Sequence, residues 1–170
     1  NKCQKEEVME ALLDRILTLN LIATTVVFYI AARIYLLPNL GRLLPSAILV
    51  PILLLHSLRH LGLMFLTRGA TYPGLPGQFA YPAAFGDLLA AALAFTAVFL
   101  FVRDSLLARP LVWVFNVFGV LDLVVATTLA TIFGAAPYMG PAYWIPALWV
   151  PALLVTHYIT FVILAKHWSE

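Results

Sequence analysis

Charge is what this chain has least of: 10 Lys and Arg and 8 Asp and Glu make up 11% of its 170 residues, where a soluble domain carries about a quarter. Such a composition does not describe a water-soluble globule. The net charge of +2 is small and scattered, so no nucleic-acid partner is expected. A single cysteine, Cys3, excludes a disulfide within the chain, and no Cys/His spacing resembles a structural zinc site. There is no GxSxG, HExxH, Walker loop or CxxCH. Strand-like alternation and an inverted repeat of the transporter kind are equally missing. No signal-peptide pattern is seen either, so the first spans are expected to serve for insertion themselves.

What the chain has instead is apolar length: 63% hydrophobic residues and a mean hydropathy of +0.96. Five stretches, 16–37, 43–66, 79–102, 110–133 and 144–164, are each long enough to cross a bilayer. The expected fold is all-α, a single polytopic membrane bundle of five transmembrane helices. Residues 1–15 precede it as an amphipathic segment with Val8, Leu12 and Ile16 on one face, running straight into the first span. Pro51 predicts a kink in span two, and Pro146 and Pro151 predict a bend in the first half of span five.

Arg33, Arg42, Arg103, Arg109 and Lys166 all fall on one side of these spans, against Arg68 on the other; Lys2, Lys5 and Arg15 lie in an N-terminal segment that also holds four acids. The expectation is N-terminus out and C-terminus in. Tyr72, Tyr138, Tyr143 and Trp144 then form an outer aromatic belt, and Trp113 and Trp168 an inner one.

An ionisable side chain at membrane depth costs roughly 2.5 to 3.5 kcal/mol, so each needs a partner, water or a function. Six lie well inside the spans: His56, Arg59, His60, Asp87, Asp122 and His157; Asn116 adds an amide. His56, Arg59 and His60 are spaced i, i+3, i+4, which sets them on one face of an α-helix looking into the bundle. Counting inward from the outer ends, Arg59 and Asp87 reach nearly the same level, roughly 11 to 12 Å down, which predicts an ion pair. His56, Asp122 and His157 fall near the midplane, so one polar chamber can hold all six. Alanines at 80, 83, 84, 90, 91 and 94 form a small-residue stripe around Asp87 and mark span three as the central helix. Asn116 and Asp122 lie about 120° apart around their axis and need not share a site, and Gly119 between them admits a close neighbour.

Several functions fit such a chamber. It can be structural, with the Arg59–Asp87 pair and histidines satisfied by Asp122, Asn116, Thr156 or Thr160 gluing helices in a membrane accessory subunit. It can bind or translocate a proton or small solute, the midplane His and Asp residues titrating in turn. It can hold haem b in an electron-transfer module between His56 and His157, or a metal on His56, His60 and His157. A membrane-embedded hydrolase or lipid-modifying enzyme using His60 and Asp87 as acid and base has less support. The expected partners are the lipid bilayer, a small solute or proton, and a second copy or another subunit of a membrane complex.

The stretches RHLGLMFL (59–66), GLPGQFAYPAAFGDLLAA (74–91) and WVFNVFGVLDLVVA (113–126) resemble an uncharacterised bacterial family of small multi-span membrane proteins with FAxPAxxGD and NxxGxxDL segments. The resemblance covers spans two to four. It implies a bacterial inner-membrane location, carries no function, and singles out Arg59, Asp87, Asn116 and Asp122.

Overall fold

In the computed structural model, which describes residues 2–166 and the side chains of all of them except 2–7, 10 and 11, the apolar stretches form α1 (Lys2–Ala31), α2 (Pro45–Ser57), α3 (Gly77–Val102), α4 (Ala108–Ile132) and α5 (Val150–Lys166). Non-α turns lengthen three of these: a π-helical turn at Ala32–Leu36, a nine-residue 3-10 helix at Leu58–Leu66 and a second π turn at Ile145–Trp149. Counted with them, five helices among the described residues are long and apolar enough to cross a membrane: Leu12–Asn39, Pro45–Leu66, Gly77–Val102, Ala108–Ile132 and Gly140–Lys166. No strand occurs among the described residues.

Proline placement accounts for much of the irregularity. Pro45 sits in the first turn of α2, where its missing N–H is no loss. Pro146 lies within the π turn that precedes Pro151, a local widening of the helix in the half of span five where a bend is expected. Pro51 and Pro82 are accommodated inside α2 and α3, which stay α-helical throughout.

Helix α3 is the hub, packed against α2, the Leu58–Leu66 helix and α4, while α5 packs on α1, α4 and α2. The alanine stripe explains the closeness: Ala80, Ala83, Ala84, Ala90, Ala91 and Ala94 are all buried, and small side chains let helix backbones approach. Helix α1 is peripheral. It touches α5, the second π turn and the 136–138 turn, and Val8, Leu12 and Ile16 all face outward.

At one end, the connections 67–76 and 133–143 are laced together by Tyr72 N–H to the Tyr138 carbonyl and Ala142 N–H to the Ala70 carbonyl, both at 2.9 Å. Gly140, at φ 49°, sits against Tyr72 in this lacing, where an L side chain would be strained. Asn20 Nδ2 donates to the Tyr143 hydroxyl at 3.1 Å and fastens α1 to the same end. Tyr72, Tyr138, Tyr143 and Trp144 therefore cluster at this end, and Trp113 packs against Phe161 towards the other; Trp168 lies outside the described residues.

Candidate functional site

Arg59 is the largest fully buried side chain among the described residues, at 1% exposure, and the buried charges of the interior are arranged around it. Its Nε donates to Asp87 Oδ1 at 2.7 Å and its Nη2 to Asp122 Oδ2 at 2.5 Å. Nη1 lies 3.3 Å from the Gly119 carbonyl and 3.5 Å from His157 Nε2. One guanidinium thus joins the Leu58–Leu66 helix to α3, α4 and α5. Its planar fork of five donors suits several acceptors lying around it.

The histidines can be assigned tautomers from their neighbours. Asn116 Nδ2 donates to the His157 carbonyl at 3.2 Å, which can only accept, so Asn116 Oδ1 faces His157 Nδ1 at 2.7 Å and that nitrogen carries the hydrogen. His157 Nε2 is then a bare lone pair turned towards Arg59. Thr156 Oγ1 donates to carbonyls of its own helix, at Ala152 or Leu153, so His56 Nε2–H donates to Thr156 Oγ1 at 2.9 Å. That leaves the buried His56 Nδ1 as an acceptor that meets no donor among the described residues. The two imidazoles lie against each other with centroids 4.2 Å apart, and Phe115 closes the box on both.

Three glycines create the space. A Cβ on Gly62 would overlap the Asp87 carboxylate, one on Gly86 would overlap Asp122, and one on Gly119 would overlap the His157 ring and lie 3.0 Å from Arg59 Nη1. Each carboxylate or ring is seated over a residue without a side chain. Sequence reading noted Gly119 only as a place for a close neighbour; Gly62 and Gly86 were missed. A signal for them exists in the spacing, since Gly62 is three residues from Arg59, Gly86 adjoins Asp87, and Gly119 is three residues from both Asn116 and Asp122.

The structure brings together Arg59, Asp87, Asp122, His157, Asn116 and His56. His60 stands apart. Its side chain is exposed, with Nδ1–H donating to the Ser57 carbonyl at 3.0 Å. The expectation that it shares a face with His56 and Arg59 assumed an α-helix; the 58–66 segment is 3-10, so consecutive residues are about 120° apart and an inward Arg59 turns His60 outward. The trio His56, His60 and His157 therefore does not meet, and the His56 and His157 rings touch, leaving no gap for a macrocycle between them. Asn116 and Asp122, judged separable from their angular offset, both join the network because Arg59 and His157 span the distance between them.

Arg59 and Asp87 stay near one level although the helix type differs: seven residues of 3-10 helix from Leu66 to Arg59 rise about 14 Å, and the ten residues of α-helix from Gly77, where α3 starts two residues before the expected Phe79, rise about 15 Å to Asp87.

Beside this network lies a cavity of about 120 Å³ whose lining includes Asp87. Asp87 Oδ1 is taken by Arg59, Oδ2 accepts no hydrogen bond among the described residues, and the side chain keeps 13% of its surface accessible.

A family model described as a domain of unknown function, DUF8737, matches residues 16–165. No curated protein and no solved structure matches the chain.

Proposed function

We propose, for a chain that belongs to the DUF8737 family, that it is an integral protein of a bacterial inner membrane whose Arg59 centre binds or passes a proton or small solute. The observation that carries this reading is the charge count of the interior. One guanidinium faces two carboxylates, while both histidines are assigned as neutral acceptors. A purely structural pair would be balanced one to one. An uncompensated negative charge in a low-dielectric interior is unfavourable, and a proton or cation offsets it. Asp87 Oδ2, Asp122 Oδ1 and His56 Nδ1 are the positions that remain free to take a hydrogen, and Asp87 is reached from the cavity.

Five apolar helices and the basic residues gathered at the 40–44, 103–107 and Lys166 end support a bilayer location with that end in the cytoplasm. The test of the proton reading is infrared difference spectroscopy of the full chain in lipid between acid and alkaline pH. A carboxylic-acid carbonyl band is expected that vanishes in Asp122→Asn or Asp87→Asn. In vesicles carrying a potassium diffusion potential, a trapped pH dye should respond faster than in empty vesicles, and Asp122→Asn should remove the difference. A wild-type protein with neither the band nor the dye response would leave the centre as structural glue only.

A further inference from the structure

The cavity beside Asp87 has an uneven chemistry. Its walls are apolar, with Leu21, Phe79, Leu123 and Ile145 among them, and its side-chain polar groups are Asp87 and the hydroxyls of Thr18, Thr127 and Thr131. All three hydroxyls spend their hydrogens within their own helices: Thr18 on the Asp14 carbonyl at 3.0 Å, Thr127 on Leu123 at 2.7 Å, and Thr131 on Thr127 at 3.1 Å. What they turn towards a ligand is oxygen lone pairs. Asp87, with 91% of its surface buried, adds a carboxylate that keeps one oxygen, Oδ2, seated over Gly62 and free of Arg59. The cavity therefore offers acceptors and no side-chain donor.

A site of that kind rejects carboxylates, phosphates and carbonyl compounds, whose oxygens need donors, and selects a ligand that only donates. An ammonium group does so, and it carries the one positive charge that the two carboxylates and single guanidinium lack. The cavity volume is near that of an engineered cavity of about 150 Å³ that takes one benzene ring, so the apolar part of the ligand has the size of a single ring or short chain. Access runs between α1 and α4: Thr18 and Thr131 are exposed at the mouth, and both also line an outer depression with Asp14 and Arg15.

We infer that this cavity binds a small lipophilic primary amine, its ammonium donating to the Asp87 carboxylate and its apolar part filling the space between α1, α3 and α4. The inference rests on the reading of the Arg59 centre as short of one positive charge, and it adds the class of the solute.

Benzylamine, benzyl alcohol, acetophenone and toluene serve as probes in calorimetric titrations of the full chain in detergent. Benzylamine should bind wild type at least tenfold more tightly than the other three, and Ala126→Phe, which fills the cavity away from the charges, should abolish its binding. Asp87→Asn should remove the preference for benzylamine while leaving toluene binding unchanged. Equal binding of benzylamine to wild type and Ala126→Phe would mean partition into the micelle and would overturn the inference. Acetophenone bound as tightly as benzylamine would overturn it too, without relying on any variant. The carboxyl band of the proton reading should persist in Ala126→Phe, so the two proposals fail separately.

Discussion

Arg59 is held by two carboxylates, and this decides what loss of each partner does. Were Asp87 its only partner, removing Asp87 would strand a buried cation. With Asp122 also in place, Asp87→Asn leaves one charged partner, and a loss of about 1 to 3 kcal/mol is expected. Arg59→Gln strands two neighbouring carboxylates instead, and about 3 to 5 kcal/mol is expected. Unfolding of the three proteins in mixed detergent micelles checks the order; an Asp87→Asn protein as unstable as Arg59→Gln would mean that Asp122 does not share the load. The glycines give a second comparison. Gly119→Ala forces a methyl group into His157 and Arg59 and should cost about 1 to 3 kcal/mol through overpacking. At Gly77 the added Cβ meets only the Tyr81 ring, at 3.4 and 3.5 Å, and Gly77→Ala should stay within about 0.5 kcal/mol of wild type.

At the scale of the element, the 3-10 helix from Leu58 to Leu66 is the feature that shapes the site. Runs beyond three or four residues are uncommon, and mid-helix stretches often mark functional hinges or strain. Here the tighter winding and the bare backbone of Gly62 let the segment press onto α3 at Asp87, and the same winding puts His60 outside. The consequence is measurable: His60→Ala should change stability by less than about 0.5 kcal/mol. His157→Ala removes a buried ring that binds Asn116 and faces Arg59, and about 3 kcal/mol is expected to be lost. Comparable losses in the two variants would mean that residues 58–66 wind as an α-helix with His60 inside.

For the whole molecule, the five helices and their connections place the 67–76 and 133–143 segments at one end and the 40–44 and 103–107 segments at the other. Arg33, Arg42, Arg103, Arg109 and Lys166 fall towards the second end, against Arg68 in the connections of the first. A reporter fused after Glu170 should therefore report cytoplasm and one inserted at Gly74 the outside. The same side for both would refute five crossings, and both reversed would refute only the orientation.

Sequence alone determined the number of long apolar helices, their approximate limits, and α3 as the helix on which others pack. Those properties depend on composition along a continuous segment: apolar length and the spacing of alanines act locally, within one helix. The Arg59–Asp87 pair was legible as well, because depth along a helix is a matter of counting residues, and counting held even when the helix type changed. Thr156 was legible too, since a hydroxyl on a neighbouring span is a ready partner for a midplane histidine. Tertiary structure decided what remained. Whether His60 faces in or out depends on 20° more rotation per residue, which the pattern of apolar residues in RHLGLMFL does not reveal. The recruitment of Asp122 to Arg59 depends on which helices are neighbours, since angles within α4 say nothing of how far an arginine on another helix reaches. Gly62, Gly86 and Gly119 matter for side chains they do not carry, and the groups seated over them come from other helices, so only the packed bundle shows why they are glycine.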